Sequence, residues 1–445
     1  MHANPSLKLV RGDADPQPHP WATYKWWVVF MLWFICFFNY ADRQAISAVF
    51  PKLEHEFGFN KVQLGLIGSV FAWVYAAGAP FAGYIVDRFN RKKLILGGCL
   101  FWSAVTISTG WCGKLWQFVT VRALEGLGET FYFPASLSLM SDYHGPKTRS
   151  RALAIHNSSV YVGTILGSWL GAWFAETIGW RFGFYFFGGM GMLLALILFQ
   201  FLREPKRAQS EEVVTEKAAD TETPLPVGPA LRHIFSKPTV WLLMLVFMGA
   251  NFVAVIFLTW TPTFLVEKFH FKLAAAGLNG TVYIQLASVV SAPIAGYLAD
   301  RFTRRMAGGR ILVQALGLLA GAGFVFLVGS THTITTLFIA MTGFGFCKGF
   351  YDSGIFASLF DAVEPRTRGA AAGLMNTVGW GGGALGPLAV GWFTMHGSQG
   401  SEMANMSKAI SFGGLIYLVG AALLFLAIFV FARRDLTPAP FAKPL

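Results

Sequence analysis

One segment of this chain occurs twice. Residues 79–91 (APFAGYIVDRFNR) return as residues 292–304 (APIAGYLADRFTR), and in both copies a long apolar stretch runs into a short basic loop. A second pair, residues 165–174 and 384–393, is related at an offset of 219 residues. The chain is therefore predicted to consist of two related hydrophobic halves in tandem. Such duplication around a site at the bilayer midplane is typical of secondary transporters.

The composition indicates that lipid is the solvent of this protein. Hydrophobic residues make up 54% of the 445 positions and charged residues only 13%, whereas about a quarter of a soluble domain is charged. The net charge of +12 raises the possibility of nucleic-acid binding. However, the basic residues cluster in short loops between apolar stretches and form no stripe with exposed aromatic side chains. We therefore expect the lipid bilayer as a partner and no nucleic acid.

The residue pattern contains no recognisable catalytic or metal-binding set. Cys36, Cys99, Cys112 and Cys347 lack the spacing of a metal site, and most lie in apolar segments. No nucleophile–base pair stands out either. We expect no metal, no cofactor and no enzymatic activity.

Apolar segments long enough to cross a bilayer, about 20 residues each, occur twelve times. They predict an all-α membrane protein with twelve transmembrane helices in two pseudo-symmetric six-helix halves. The predicted segments are 26–49, 62–86, 94–111, 116–142, 152–175, 182–202, 240–267, 275–299, 311–329, 334–361, 370–396 and 410–432. The predicted domains are an N-terminal tail (1–25), a first half (26–202), a polar linker (203–239), a second half (240–432) and a C-terminal tail (433–445).

The distribution of basic residues predicts the orientation. With the N-terminus inside, most of the 35 lysines and arginines fall in the inner loops, the linker and the two tails, as the positive-inside rule requires. We therefore expect a multi-pass protein of the plasma membrane, which is the inner membrane in a Gram-negative bacterium, with both termini in the cytoplasm.

The repeated loop combines a glycine, an acid and several basic residues. In the first copy these are Gly83, Asp87, Arg88 and Arg91, and in the second they include Asp300 and Arg301. We expect Gly83 to permit close helix packing and the charges to latch the cytoplasmic ends of the halves together when the cavity opens outward. The alternative is a signal for membrane topology alone, because basic residues favour the anionic leaflet.

These features resemble the major facilitator superfamily over residues 26–432. Residues 39–43 (NYADR), 122–129 (RALEGLGE) and 201–205 (FLREP) resemble its Spinster-type branch, which includes lysolipid and sphingolipid-phosphate carriers. The first-half pattern, with Tyr75 and residues 260–264 (WTPTF), is also similar to the sugar-acid anion:cation symporters. In both branches the acids matching Asp42 and Glu129 are thought to serve proton coupling, and the resemblance implies that Arg122 pairs with them.

Each charged residue within the predicted helices needs a structural or functional reason, because placing a charged side chain in the bilayer core costs at least ~2.5–3.5 kcal/mol. Asp42 lies far along the first helix, and Arg122, Glu125 and Glu129 share one face of the fourth. We expect Asp42 and Glu129 to load and release protons as their surroundings change between conformations. The alternative is a static buried ion pair that fixes helix packing, and Glu125 either joins the relay or pairs with Arg122.

Further polar residues in apolar segments are candidates for a substrate cavity. Arg43 faces away from Asp42 and is expected to hold an anionic group of the substrate, or alternatively to pair with a helix of its own half. Lys348 corresponds to Glu129 at the offset of 219, and either attracts an anion or simply pairs with Asp352, four residues later. The other candidates for the cavity are Tyr75, Asn251 and Gln285.

Taken as a whole, the sequence favours a proton-coupled carrier of an organic anion that works by alternating access. Two substrate classes remain open, a small sugar-acid-like carboxylate and a lysophospholipid-like amphiphile. The alternative function is a non-transporting membrane receptor or scaffold on the same fold. We expect a monomer.

Overall fold

The computed structural model describes residues 21–205 and 227–436. In these ranges the regular structure is helical and no strand occurs. The predicted fold class, an all-α membrane protein with twelve transmembrane segments in two six-helix halves, is confirmed. The two predicted tails lie almost entirely outside the described residues, as does much of the predicted linker.

All six predicted segments of the first half are helical, but not all of them are continuous helices. The first helix ends at Ala48, and a short second helix begins at Phe50 with Pro51 in its first turn. The fourth is interrupted at Thr130 and Phe131, directly after Glu129. The helices are α1 (Trp21–Ala48), α2 (Phe50–Phe57), α3 (Lys61–Arg88), α4 (Arg91–Thr109), α5 (Leu115–Glu129), α6 (Tyr132–Tyr143), α7 (Pro146–Thr177) and α8 (Trp180–Phe201).

The second half repeats this organisation. Its fourth segment is again broken, here after Asp352, and its fifth is broken at Ala384. The predicted linker contains a helix, α9 (Val227–Phe235), which packs on α10 and α15. The remaining helices are α10 (Pro238–Phe269), α11 (Leu273–Thr303), α12 (Gly309–Ser330), α13 (Ile334–Asp352), α14 (Ile355–Ala362), a 3₁₀ turn (Pro365–Thr367), α15 (Arg368–Gly383), α16 (Leu385–His396), α17 (Glu402–Leu426), a π-helical turn (Ala427–Phe431) and α18 (Ala432–Asp435).

By length and composition alone, seven stretches of the described residues could cross a membrane. The other segments are shorter, broken or more polar, as α4 is with Arg91, Lys92 and Lys93 at its start. The seven are Lys61–Val86, Trp180–Phe201, Pro238–Phe269, Leu273–Thr303, Gly309–Ser330, Ile334–Ala362 and Glu402–Phe431.

A row of glycines brings α1 and α7 into close contact. Gly163, Gly167 and Gly171 recur every four residues on α7 and face α1. A Cβ atom at Gly167 would lie 2.3 Å from the Cα of Ala41, so a larger residue cannot be accommodated without moving a helix. Small residues at this spacing are the usual means of close packing between helices in lipid. The contact fixes the part of α1 that carries the next residue, Asp42.

An ion cluster joins the two halves on one side of the membrane. We call the side that holds residues 203–205 and α9 the linker side and the opposite side the far side. On the far side, Lys61 at the start of α3 is buried between Glu54 of the first half, 2.6 Å away, and Glu267 of the second. The cluster therefore ties the halves together where α3 meets the end of α10.

Two further hydrogen bonds close the far side. The amide Nε2 of Gln44 donates to the carbonyl oxygen of Leu258 across the halves, at 2.5 Å. The backbone N–H of Ala274, at the start of α11, donates to Glu176 at 2.8 Å. On the linker side, by contrast, the cavity-lining residues Asn157 and Asp352 are exposed, so the cavity opens in that direction.

Candidate functional site

A polar cavity lies between the two halves. It has a volume of about 420 Å³ and is lined by residues of both halves, which is within the usual size range of ligand sites. Its charged lining residues are Arg43, Arg122, Lys348 and Asp352. Three cations and one acid therefore face the space in which a ligand would lie.

Arg43 lies between this cavity and a buried acid. Its guanidinium group forms an ion pair with Glu129, which is almost completely buried, and its Nε lies 3.1 Å from Glu129 Oε2. The same group lies over three aromatic rings, those of Tyr40 at 4.5 Å, Phe71 at 4.4 Å and Tyr75 at 5.5 Å. Arg43 therefore pairs within its own half and also faces the cavity, and its contact with a substrate anion stays a prediction.

Arg122 pairs with the acid one turn further along its own helix. Its Nη1 lies 2.5 Å from Glu125 Oε2, and both side chains are buried. This differs from the pairing with Asp42 and Glu129 that the resemblance implied. The spacing of three residues on α5 brings Glu125 alongside Arg122, while Arg43 reaches across from α1 to take Glu129. The Arg122 guanidinium also lies 4.8 Å from the ring of Phe71.

Among the described residues, no guanidinium group forms an ion pair with Asp42. One of its carboxylate oxygens accepts the backbone N–H of Arg43 at 2.7 Å, and the other accepts the hydroxyl of Thr106 at 3.1 Å. Oxygens of Asp42, Glu125 and Glu129 all lie within 4.8 Å of one another, and all three residues are buried. The buried cluster therefore contains three carboxylates and only two guanidinium groups.

One oxygen of this cluster is left without a partner. Glu129 Oε2 is held by Arg43, but Glu129 Oε1 makes no hydrogen bond with any described residue. A buried carboxylate oxygen in this position is costly unless it is satisfied or protonated. The cluster thus has both an excess negative charge and a place at which a proton can be added.

The second half contributes its own ion pair to the cavity wall. Lys348 and Asp352 lie one turn apart on α13 and contact each other, and both line the cavity. Asn251 of α10 and Gln285 of α11 also line it. Tyr75 does not belong to the lining, because it lies behind the wall against Arg43 and the ring of Trp380.

The repeated linker-side loops make contacts within each half. Arg91 is buried between Asp142 and Glu204, with its Nε 3.0 Å from Glu204 Oε1. In the second half, Arg310 contacts Asp300 at 3.2 Å and Asp361 at 2.5 Å. In each half, therefore, an arginine at the start of the third segment contacts an aspartate near the end of the fourth, Arg91 with Asp142 and Arg310 with Asp361.

Several expectations for the loop motif need correction or stay open. A Cβ atom at Gly83 would meet no described atom within 4 Å, so Gly83 makes no close helix contact in this conformation. Arg88 is exposed and lies over the ring of Tyr84 at 3.6 Å, and Arg301 is exposed. The side chain of Asp87 lies outside the described residues. A latch between these loops is expected only in the opposite conformation, so it stays a prediction.

Sequence reasoning missed the aromatic and hydroxyl groups that complete the site. Phe71 lies against both Arg43 and Arg122, and Thr106 is a hydrogen-bond donor to Asp42. Neither is unusual in an apolar helix, so no pattern could have identified them. Lys61 and Glu267 could have been noticed as charges at helix ends, but nothing in the sequence relates the two positions.

Comparisons with known proteins agree on one family. The sequence profile of the Major Facilitator Superfamily matches residues 32–284 and 265–444. The chain is 29% identical to the chloroplastic ascorbate transporter of Arabidopsis thaliana, over 88% of this chain and 74% of that protein. It is 30% identical to the chloroplastic sodium-dependent phosphate transport protein 1 of the same plant, over 90% of this chain and 78% of that protein.

Two further comparisons concern bacterial proteins. The chain is 25% identical to the probable galactarate/D-glucarate transporter GudP of Escherichia coli (strain K12), over 85% of this chain and 88% of that protein. Its fold matches the crystal structure of a bacterial homolog to the human lysosomal transporter Spinster in an inward-facing, unoccupied conformation. The TM-score is 0.80 at 23% identity, and the match covers 94% of this chain and 99% of that one.

Proposed function

Because the chain belongs to the Major Facilitator Superfamily, we propose that it is a proton-coupled secondary transporter that moves a small organic anion by alternating access. The superfamily predicted from the sequence is confirmed. Its members are transporters rather than enzymes, so the cargo is bound and released without chemical change.

One observation carries the proposal: Arg43 faces the cavity while it is held by the buried carboxylate of Glu129. As long as Glu129 is ionised, the guanidinium group already has a partner. When Glu129 takes up a proton, that partner is lost and Arg43 becomes available for a bidentate contact with a carboxylate of the substrate. The proton and the anion therefore favour each other's binding.

The charge balance of the cluster supports this coupling. Asp42, Glu125 and Glu129 outnumber Arg43 and Arg122 by one negative charge. Burying an uncompensated charge is expensive, so addition of one proton neutralises the cluster. Since linkage is reciprocal, an anion that draws Arg43 away from Glu129 also promotes protonation there.

The names of the relatives favour a small anion as the substrate. Those relatives are named for ascorbate, phosphate and galactarate or D-glucarate, and the cavity lining carries an excess of cations. A lysophospholipid-like amphiphile is the second candidate, favoured by the aromatic lining residues Phe71, Phe133, Phe356 and Trp380.

The remaining parts of the proposal concern the setting of the transporter. The linker side is the cytoplasmic side, in keeping with the basic loops there, and the protein lies in the plasma membrane or bacterial inner membrane. It works as a monomer, because the cavity lies between two halves of one chain. In this proposal, the conformation that opens on the linker side is the one that exchanges substrate with the cytoplasm.

The test is uptake into proteoliposomes under an imposed pH gradient. Radiolabelled glucarate, ascorbate, phosphate and a lysophospholipid would each be offered to the purified protein. We expect uptake of at least one small anion that depends on the gradient. Glu129→Gln and Asp42→Asn should each abolish gradient-driven uptake while anion exchange across the membrane persists, because Gln and Asn imitate the protonated acids.

A control is Glu212→Gln, which removes an acid of the predicted polar linker and not one of a predicted transmembrane segment. It should behave as wild type. If Glu129→Gln and Asp42→Asn both retain the wild-type dependence on pH, the buried acids are structural and proton coupling at this cluster is refuted. If only the lysophospholipid is taken up under the gradient, the substrate is the amphiphile and not a small anion.

A further inference from the structure

A buried histidine of the first half lies outside both the cavity lining and the ion pairs described above. His156 belongs to α7, and its side chain is fully shielded from solvent. The next residue, Asn157, is exposed and lines the cavity where it opens on the linker side. The ring of Phe133, which also lines the cavity, lies 5.8 Å from the His156 ring. His156 is therefore located directly behind the cavity wall.

The hydrogen bonds around His156 indicate which of its nitrogens carries the hydrogen. The hydroxyl oxygen of Tyr132 on α6 lies 2.7 Å from the carbonyl oxygen of Leu32 and 3.0 Å from His156 Nε2. A carbonyl oxygen can only accept, so the hydroxyl donates to Leu32 and Nε2 donates to the hydroxyl oxygen. In the neutral ring, Nδ1 then carries a free lone pair. Within residues 21–205 and 227–436, this nitrogen has no hydrogen-bond partner.

Tyr132 connects the histidine to the acid cluster. It follows Glu129 by three residues, across the interruption between α5 and α6. Cys36 on α1 lies close enough to interact with both Tyr132 and Glu129. Cys99 on α4 is likewise within electrostatic reach of both. Glu129 and Tyr132 therefore share two neighbours and belong to one buried region of the first half.

Buried polar atoms without a protein partner occur at both ends of this region. They are Glu129 Oε1 at one end and His156 Nδ1 at the other. Between them, the ring of Trp102 lies 5.7 Å from that of Tyr132, and Trp102 Nε1 also makes no hydrogen bond with a described residue. Water usually satisfies such groups in a protein interior. Packing alone explains the contact of His156 Nε2 but leaves Nδ1 unexplained.

We propose that Tyr132 and His156 form a proton route between Glu129 and the linker-side opening, separate from the space in which the substrate binds. Histidine is suited to this task because it gains and loses a proton near neutral pH and has two nitrogens through which the proton can pass. The inference rests on the proposed function, since it gives the proton of Glu129 a path of its own. A substrate in the cavity does not block this path.

Each transfer along the route conserves protons. A proton from the linker side binds to His156 Nδ1, and the hydrogen on Nε2 moves to the Tyr132 oxygen. Tyr132 then releases its original hydroxyl hydrogen, which reaches Glu129 Oε1 through buried water. Glu129 is now protonated, Tyr132 is again a neutral hydroxyl, and the neutral ring of His156 carries its hydrogen on Nδ1. Release of the proton from Glu129 follows the same steps in reverse and restores the first tautomer.

The test follows the protonation of Glu129 itself and therefore needs no substrate. The purified full chain would be subjected to a rapid drop in pH, and infrared spectroscopy would record the C=O stretch of protonated carboxyl groups. The part of the signal that is missing in Glu129→Gln belongs to Glu129. We expect His156→Gln and Tyr132→Phe each to slow the appearance of this band about a hundredfold, the lower end of what a positioned proton-transfer group contributes. Both variants nearly preserve side-chain volume, and the Gln amide can still donate to Tyr132.

Added heterocycles distinguish proton transfer from packing. His156→Ala leaves room for a five-membered ring, and imidazole added to this variant should restore most of the rate. Pyrazole has the same size but is not protonated near neutral pH, so it should not restore the rate. Equal recovery with both compounds would show that His156 only fills space. The control variant is His396→Gln, at an exposed position outside the cavity lining, and it should match wild type.

The outcomes separate this inference from the proposed function. Wild-type rates in both His156→Gln and Tyr132→Phe would overturn the route. If Glu129→Gln still abolishes gradient-driven uptake in that case, the proposed function stands, and protons reach Glu129 through the cavity instead. If no band of Glu129 changes over the pH range in which the protein stays folded, both the route and proton coupling at Glu129 are refuted.

Discussion

At the scale of single residues, the buried charges of the first half divide into two groups. Arg122 and Glu125 form a pair within one helix, and Arg122 also lines the cavity. Arg43 and Glu129 form a pair between helices, and Arg43 also faces the cavity. The first pair is suited to hold the site in place, and the second to exchange partners during transport.

This division predicts how stability responds to removal of Arg122. Arg122→Gln leaves Glu125 buried without its partner, and breaking one side of a buried pair costs about 3–5 kcal/mol. Arg122→Gln with Glu125→Gln removes both charges and should recover most of that loss. Thermal unfolding in detergent of the two single variants and the double variant measures the difference. Equal destabilisation by the double and single variants would show that the pair does not act as a unit.

At the scale of helices, close packing in lipid positions the acids. Asp42 reaches Thr106 and its neighbouring carboxylates because α1 lies directly against α7 along the glycine row. In each half the fourth segment is broken beside a charged residue, after Glu129 in α5 and after Asp352 in α13. The charged residues beside these breaks face the cavity or belong to the buried cluster.

Because of the glycine row, adding one methyl group at Gly167 should destabilise the protein. Gly167→Ala places a Cβ atom 2.3 Å from the Cα of Ala41, so α1 and α7 must separate, at a cost of about 1–3 kcal/mol. Because Asp42 is the next residue on α1, gradient-driven transport should fall as well. Thermal unfolding and proteoliposome uptake provide the two measurements.

Gly97→Ala is the matched control for this prediction. Gly97 lies within α4 at an exposed position, and an added Cβ atom there meets no described atom within 4 Å. The substitution should be neutral or slightly stabilising, since alanine favours the helix. Similar losses in the Gly167 and Gly97 variants would contradict the packing argument.

At the scale of the whole molecule, two sets of charged contacts on opposite sides decide which way the cavity opens. On the far side the halves are joined through Lys61 and Glu267, Gln44 and Leu258. On the linker side Arg91 and Arg310 are engaged within their own halves. A conformational equilibrium of this kind shifts only when one state gains or loses contacts that the other does not have.

Lys61→Met should shift the population toward the state that opens on the far side. The variant removes the cation that joins Glu54 of the first half to Glu267 of the second, so the closed far side loses a contact between the halves. Spin labels at Lys114 and Thr333, two exposed far-side positions, would report longer distances. The native cysteines are buried and should not compete for labelling. If the labelled variant gives the same distance distribution as the labelled protein with lysine at position 61, Lys61 does not determine closure of the far side.

Asp87→Asn should shift the population in the opposite direction. If the Asp-Arg loops latch the linker-side ends when the cavity opens to the far side, weakening the latch favours the state that opens on the linker side. Labels at Lys147 and Gly369, both exposed, would report the separation. Distributions that match wild type at both pH 5 and pH 8 would reduce the loop motif to a topology signal.

The sequence alone determined the architecture of this protein. Three features were sufficient to predict the fold: the repeated segment, the twelve apolar stretches and the low content of charged residues. They suffice because a chain in lipid must form its backbone hydrogen bonds within each helix. The cost of charge in lipid also selected Asp42, Arg43, Arg122, Glu125, Glu129 and Lys348 as residues that need a role. All of these lie in or directly behind the cavity wall.

The tertiary structure decided how those charges are paired. The sequence orders residues along each helix but does not give the rotation of one helix against another, so it could not assign Glu129 to Arg43 rather than to Arg122. The same reason explains why Tyr75 lies behind the cavity wall, why Gly83 makes no close contact, and why Lys61 meets Glu267 across more than 200 residues. Helix periodicity is a local property, whereas a cavity, an ion pair between helices and a closed far side arise only when separate helices are packed together.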